Sequence, residues 1–276
     1  MERLVGVDIG GTKMLMLCPT EEGYIEKKVP TGRDCPPHRL KAELDDFLSG
    51  LPFVPDGVGM AIPGLVEGDH TVQISNVVPL LAGITGAYFG AGRFPVRFLN
   101  DVKAAVLAEA ANYAPDAVVA VIMAGTGIAL GVSDKGRIIA GSHGFAGELG
   151  FSVTGTPEGV RTFDQLAGGG PLLRQAGCTP QELHDRLAGG DGESAALIER
   201  AGLYFGLAMT NVMHLFNPDV LVVGGSTSTY AGYMEKALET ADAHTLPDIR
   251  RCCTVTRPKD MGRIVALGAL ELIRRQ

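Results

Sequence analysis

One pattern occurs twice in this chain and restricts its fold more than any other. A strand, a glycine turn, a strand, a polar turn and a third strand are expected at 3–29 and again at 117–140. In the first copy, Val5-Gly6-Val7-Asp8-Ile9 leads into Gly10-Gly11-Thr12-Lys13. Met14-Leu15-Met16-Leu17 follows, and Glu22-Gly23 turns the chain into 24–29. In the second, Val118 to Met123 leads into Gly125-Thr126-Gly127, Ile128 to Val132 follows, and Ser133-Asp134-Lys135-Gly136 turns back into 137–140. Short apolar runs bounded by glycine and small polar residues read as strands. A duplication on this scale implies two related lobes.

The 276 residues suffice for one large domain or two modest ones with their own cores. Hydrophobic residues are 46% and charged residues 20%, a globular balance. The net charge is −7 and Lys and Arg form no long run, which argues against nucleic acid or an anionic membrane as the main partner. No apolar run is long enough to span a bilayer. The first strand follows directly on Met1-Glu2-Arg3, so neither a secretory leader nor a DNA-binding extension is expected. Five cysteines, at 18, 35, 178, 252 and 253, are odd in number and irregular in spacing. They suggest no disulfide framework and no thiolate metal site, and a cytoplasmic location is the expectation. The histidines show no ligand spacing either.

Between the repeats, Leu40, Leu44, Phe47 and Leu48 predict a helix over 38–49. Strands are expected at 56–62, ending in Pro63-Gly64, and at Val96 to Leu99, ending in Asn100-Asp101. An alanine-rich helix follows over 102–113. Later helices are expected at 162–175, 180–188, 193–216, 229–240 and 261–275, with a buried strand at 220–223 and a weak one near 252–256.

Three glycine turns follow buried strands, and each carries a hydroxyl: Gly10-Gly11-Thr12, Gly125-Thr126-Gly127 and Gly224-Gly225-Ser226. One such turn is an ordinary hairpin. Three are better explained by a nucleotide, with backbone N–H groups of the first two around its phosphates and Lys13 adding charge. The third lets the backbone approach a base or ribose. Asp8 is placed to hold a cation through water. None of the turns has P-loop spacing, and none is a G-x-G-x-x-G opening a helix, so NAD is not expected. Asn100-Asp101 sits where a strand meets a helix, and on this pair alone an N-cap is slightly favoured. The same pair fits a carboxylate that takes a hydroxyl proton beside an amide that orients the acceptor. Glu148, among Phe145-Ala146-Gly147 and Leu149-Gly150-Phe151, fits a sugar-hydroxyl acceptor and a paired turn acid equally well.

In this order, the segments resemble the ROK sugar kinases of the actin-like ATPase superfamily over nearly the whole chain. Asp8-Ile9-Gly10-Gly11-Thr12-Lys13 and Gly125-Thr126-Gly127-Ile128 resemble the family's two phosphate motifs. Ile62-Pro63-Gly64-Leu65-Val66 and Ser75-Asn76 resemble its sugar-side loops. Leu99-Asn100-Asp101 resembles the segment with the catalytic aspartate. Ala146-Gly147-Glu148-Leu149-Gly150 resembles the start of its sugar-binding signature. Asn217-Pro218-Asp219 through Gly224-Gly225 resembles the adenosine motif, and Ala266-Leu267-Gly268-Ala269 the closing helix. Two departures stand out. The signature's G-E-x-G-H ends here in Phe151, and its cysteine cluster is missing from Thr154 to Gln165. Loss of histidine and thiolates together implies no structural zinc. Thr162-Phe163-Asp164-Gln165 is similar to the zinc-less members, which include N-acetylmannosamine and β-glucoside kinases, and Gln165 is placed at the cluster's sugar-binding glutamate.

The resemblance implies an α/β, ribonuclease H-like fold with duplicated mixed sheets flanked by helices, and a nucleotide cleft between two lobes. The lobes are expected over 1–114 plus 258–276 and over 115–257. It implies MgATP-dependent transfer of the γ-phosphoryl to a hexose or amino-sugar hydroxyl, at C6, with Asp101 as general base. The acceptor is N-acetylmannosamine, a glucoside or glucose. Gly64, Asn76, Asn100, Glu148, Phe151 and Gln165 are implied sugar contacts. Asp8 holds Mg²⁺ through water, Gly10, Gly11, Thr12, Lys13, Gly125, Thr126 and Gly127 seat phosphates, and Gly224 and Gly225 border the adenosine. A homodimer is expected, with neither nucleic acid nor membrane as partner. The alternative is a non-catalytic sugar-binding regulator or pseudokinase of the same fold.

Overall fold

The computed structural model describes residues 2–275. The chain divides into two compact units. One comprises Met1–Ala114, Ala140–Phe145 and Gly262–Gln276, the other Pro115–Ile139 and Ala146–Met261. The first holds β1 (Leu4–Ile9), β2 (Lys13–Thr20), β3 (Gly23–Pro30), α1 (Pro37–Ser49), β4 (Gly57–Ile62), β5 (Leu65–Glu67), β6 (Thr71–Ile74), α2 (Gly86–Gly90), β7 (Val96–Asn100) and α3 (Asp101–Ala110). The second holds β8 (Val118–Ala124), β9 (Ile128–Asp134), β10 (Arg137–Ile138), β11 (Val153–Thr156), β12 (Gly159–Thr162), α4 (Phe163–Ala167), α5 (Gly169–Ala176), α6 (Pro180–Ala188) and α7 (Gly192–Phe216). It continues through β13 (Val220–Gly224), α8 (Tyr233–His244), α9 (Pro247–Cys252) and β14 (Thr254–Thr256). Finally α10 (Ile264–Arg274) belongs to the first unit again.

The duplication read from the sequence extends to topology. The main sheets have strand orders β3-β2-β1-β4-β7 and β10-β9-β8-β13-β14. In each, three strands form an antiparallel meander and the other two add in parallel.

Alternation along the strands builds the core of the first unit. Val5, Val7 and Ile9 of β1 and Val58, Met60 and Ile62 of β4 pack on one face with α1 through Leu40, Leu44 and Phe47. The opposite face of the same strands is small: Gly6 on β1, and Gly57, Gly59 and Ala61 on β4. There α10 lies directly on the backbone. A Cβ at Gly6 would stand 2.2 Å from the Ala266 carbonyl oxygen, and one at Gly59 would stand 1.8 Å from that of Ala269. The other side of α10 meets α3 as closely, for a Cβ at Gly268 would stand 1.7 Å from the Ala104 carbonyl oxygen.

In the second unit, β8, β9 and β13 pack on α7 and α8 through Ile122, Leu130, Val223, Phe205, Met209 and Tyr233. The Tyr233 hydroxyl donates to the Ala167 carbonyl at 2.8 Å, which satisfies a fully buried polar tip.

The helix expected over 162–175 is two helices. Gly168 is extended (φ −73°, ψ 143°), so it ends α4 and begins α5. The helix expected over 229–240 starts at Tyr233, after a 3₁₀ turn over Ser226–Thr229. Residue 252 ends α9 instead of starting the last strand. The hairpins β5–β6 and β11–β12 are too short for their alternation to stand out in the sequence.

Gly59→Ala is expected to destabilise the protein by about 3 kcal/mol or more, because α10 must lift to admit the methyl group. Gly50→Ala, at a position with ordinary helical angles (φ −81°, ψ −8°), is expected to change stability by less than about 1 kcal/mol. Urea unfolding of the two variants checks the contrast.

Candidate functional site

In the first unit, the backbone of β1 turns at Gly10, whose N–H donates to the Lys13 carbonyl at 2.8 Å. Thr31 holds this turn from the side. Its hydroxyl donates to the Gly10 carbonyl at 2.6 Å and its N–H to the Thr12 carbonyl at 3.0 Å. In a trans peptide the N–H points opposite to the C=O, so the Gly11 N–H points away from Thr31. Thr12 and Lys13 are exposed beside it. A side chain on Gly11 would meet Val77 Cγ1 at 2.6 Å.

Asp8 follows Gly6 on the small face of β1, the face that α10 and α3 cover. It is largely surrounded by protein with partial solvent access. Burial first, then the nearby Asp101 carboxylate, push its carboxyl up to about 7, against the opposing charge of Lys13. Two adjacent acids that resist joint ionisation suit a cation, so the donors at this position fit a hydrated magnesium ion.

Asn100 performs both roles weighed from the sequence. Its Oδ1 accepts the Val102 and Lys103 N–H groups at 3.1 and 3.2 Å, capping α3. Its Nδ2 donates to the Gly64 carbonyl and to Asp101 Oδ1, both at 3.0 Å. The Val102 N–H also donates to Asp101 Oδ1, at 2.9 Å, so that oxygen is held by two donors. Gly64 (φ +150°) lies against the backbone of β6, where a Cβ would stand 2.0 Å from the Ile74 carbonyl oxygen. Ser75 secures that loop, its hydroxyl donating to the Pro63 carbonyl at 2.7 Å and accepting the Val78 N–H at 3.1 Å. Asn76 is exposed, and its carbonyl accepts from Arg33 at 2.8 Å. Gly64, Asn100 and Asp101 are thus brought together by direct bonds, with Asp8 beside Asp101.

In the second unit, two glycine segments converge on the 125–127 turn. The Gly125 carbonyl accepts the Gly169 N–H at 2.9 Å and the Thr227 hydroxyl at 2.8 Å. The Thr126 carbonyl accepts the Gly170 N–H at 2.8 Å. With both carbonyls turned inward, the N–H groups of Thr126 and Gly127 point outward, the arrangement of an anion nest. Gly225 (φ +93°) packs on Ala124, where a Cβ would stand 2.3 Å from the carbonyl oxygen. Its own carbonyl accepts the Ser228 hydroxyl at 2.7 Å, and Arg257 donates to that hydroxyl and to the Ser228 carbonyl. Asn217 and Asp219, of the segment before Gly224, have structural roles. Asn217 ends α7 in the left-handed conformation, and Asp219 accepts the Val118 N–H at 2.8 Å.

Glu148 is exposed at the start of a 3₁₀ turn over Leu149–Phe151, and Phe151 is 70% exposed, open to packing by a ligand. Gln165 closes a capping box with Thr162, its Oε1 accepting the Thr162 N–H at 3.1 Å. The neighbouring Asp164 instead reaches the end of the 125–127 turn, with Oδ1 accepting the Ile128 N–H at 2.6 Å. Burial raises the Asp164 carboxyl and that bond opposes the shift. Sequence reasoning missed Thr31, Asp164, Gly168 to Gly170 and Thr227 at these places. Only the triple glycine carried a visible signal.

The family model described as the ROK family matches residues 4–276. The chain belongs to the ROK family. It is 28% identical to a glucokinase of Halalkalibacterium halodurans, over 89% of this chain and 87% of that one. It is 24% identical to the N-acetylmannosamine kinase of Citrobacter koseri, over 83% and 85%. The ROK hexokinase of Thermus thermophilus superposes with a TM-score of 0.80 at 24% identity, over 99% of each chain. The duplicated mixed sheets are therefore the fold that this ROK hexokinase also has. Among the described residues, no helix of this ROK protein is long and apolar enough to cross a membrane.

Asp8 yields a pH dependence. Unfolded, it releases its proton near its ordinary value of 3.8; folded, near 7. Between these the native state holds the extra proton, so the Asp8 contribution to stability falls as pH rises from about 4 to about 7 and is level above. Asp8→Asn is expected to exceed the parent by on the order of 4 kcal/mol at pH 8 and to differ little at pH 4. Urea midpoints in metal-free buffer at the two pH values measure this.

Proposed function

We propose that this ROK protein is an ATP-dependent sugar kinase that transfers the γ-phosphoryl group to the C6 hydroxyl of a hexose or amino sugar. The observation that carries the reading is the Asp101 carboxylate at the start of α3, oriented by Asn100 and coupled to Asp8. Asp101 takes the hydroxyl proton as the sugar oxygen bonds to the γ-phosphorus and the bridging bond to ADP breaks. Asn100 and Gly64 orient the sugar together with Asn76, Glu148, Phe151 and Gln165. The Gly10–Lys13 and Gly125–Gly127 turns receive phosphates through outward N–H groups, and Gly224-Gly225 borders the adenosine. Asp8 would hold Mg²⁺ through water, and the ion supplies neutralisation of charge developing on the phosphate oxygens.

Phe151 stands where the family signature carries histidine. It cannot hydrogen-bond a hydroxyl, and a buried hydroxyl left unpaired costs about 1–3 kcal/mol. Its exposed ring packs instead on a sugar ring or an apolar substituent. N-acetylmannosamine or a β-glucoside is therefore favoured over plain glucose. Structural zinc is absent from the reading, because the cysteine cluster is missing from 154–165. The enzyme acts in the cytoplasm as a homodimer.

Asp101→Asn is expected to lower kcat by about 10³ while the sugar KM stays within about threefold. A coupled ADP-release assay over glucose, N-acetylmannosamine, N-acetylglucosamine, fructose and β-glucosides checks this. Near-normal turnover of the variant excludes Asp101 as the base, and no turnover of any sugar by the parent favours a sugar-binding regulator. Elemental analysis of the purified chain is expected to find no stoichiometric zinc.

A further inference from the structure

We infer that Asp164 is a positioning residue that fixes the phosphate turn and the Glu148-bearing turn to each other, and so sets the binding of both substrates. The inference rests on the sugar-kinase reading for its functional part. Asp164 lies in the first turn of α4, which the Thr162–Gln165 capping box and fully buried Phe163 hold in place. From there its Oδ1 accepts the Ile128 N–H, the peptide immediately after Gly127. A Cβ on Gly127 would stand 3.0 Å from Oδ2, and one on Gly150 would stand 2.2 Å from Oδ1. The carboxylate therefore occupies the space between the end of the phosphate turn and the 3₁₀ turn that begins at Glu148. The same short segment continues into Gly169 and Gly170, whose N–H groups hold the Gly125 and Thr126 carbonyls inward. Residues 164–170 thus clasp every peptide of the turn. Asp164 supplies the one side-chain bond of that clasp and the contact with Gly150. Glycine at 127 and 150 is what lets one carboxylate reach both segments.

Two measurements on the full chain test this. In hydrogen exchange of the ligand-free protein, Asp164→Ala is expected to speed exchange at least about tenfold in peptides covering 125–130 and 147–151. In turnover, the same variant is expected to raise KM for ATP and for the sugar together, each about tenfold, with kcat falling less. Asp164→Asn keeps an oxygen acceptor for Ile128 and is expected to stay within about threefold of the parent in both KM values. Gly150→Ala crowds the same oxygen from the other side and is expected to raise both KM values as Asp164→Ala does. Unchanged exchange in Asp164→Ala, a KM rise confined to one substrate, or Asp164→Asn as damaging as Asp164→Ala each overturns the inference. So does Gly150→Ala with both KM values at the parent level. If the parent transfers phosphate to no sugar, the functional reading fails by itself, and the exchange data alone decide whether Asp164 ties the two turns.

Discussion

The contact of α10 on the bare backbone of β1 and β4 is the constraint on which the first unit depends. Ordinary helix–sheet packing keeps side chains between the two layers. Here Gly6, Gly59 and Gly268 remove them, and carbonyl oxygens of one element lie where Cβ atoms of the next would be. The close approach has a direct chemical consequence. Asp8 shares the small face of β1 with Gly6, and α3, packed on α10, begins with Asp101. Bringing the helices this near to the sheet buries Asp8 first and also sets Asp101 beside it, and both raise the proton affinity of Asp8.

The second unit fixes its 125–127 turn by a different device. No charged side chain of the turn does the work. Hydrogen bonds from Gly169, Gly170 and Thr227 pull the carbonyls of Gly125 and Thr126 inward, and peptide planarity then turns the following N–H groups out. Both units use the same element, a glycine turn after the first strand of a meander. They differ in what braces it, Thr31 in one and the α4–α5 junction in the other.

The legible part of this protein was the part written in local periodicity and turn chemistry. The strands around Gly10-Gly11 and Gly125-Gly127, the helices over 180–188 and 193–216, and the duplicated meander all stand close to where the sequence places them. The break at Gly168 was signalled by Gly168-Gly169-Gly170 and Pro171, but Phe163, Leu166 and Ala167 mark a helical face that hid where the first helix stops. Gln165 shows a related limit. Its side chain closes a capping box with Thr162, and the adjacent Asp164 is the residue that reaches Ile128. One step along a helix turns a side chain by roughly 100°, and no local pattern says which of two neighbours faces the turn.

By itself the sequence determined two three-stranded meanders with glycine turns and a strand ending in Asn100-Asp101. These follow from side-chain alternation and backbone freedom within a few residues. The tertiary structure decided that Asp8 meets Asp101, that Asn100 both caps α3 and orients Asp101, and that Asp164 stands between Gly127 and Gly150. Each of those needs elements far apart in the chain at fixed register. Only the pairing of β1 with β4, the seating of α10 and the bonds from α5 to the 125–127 turn supply that register.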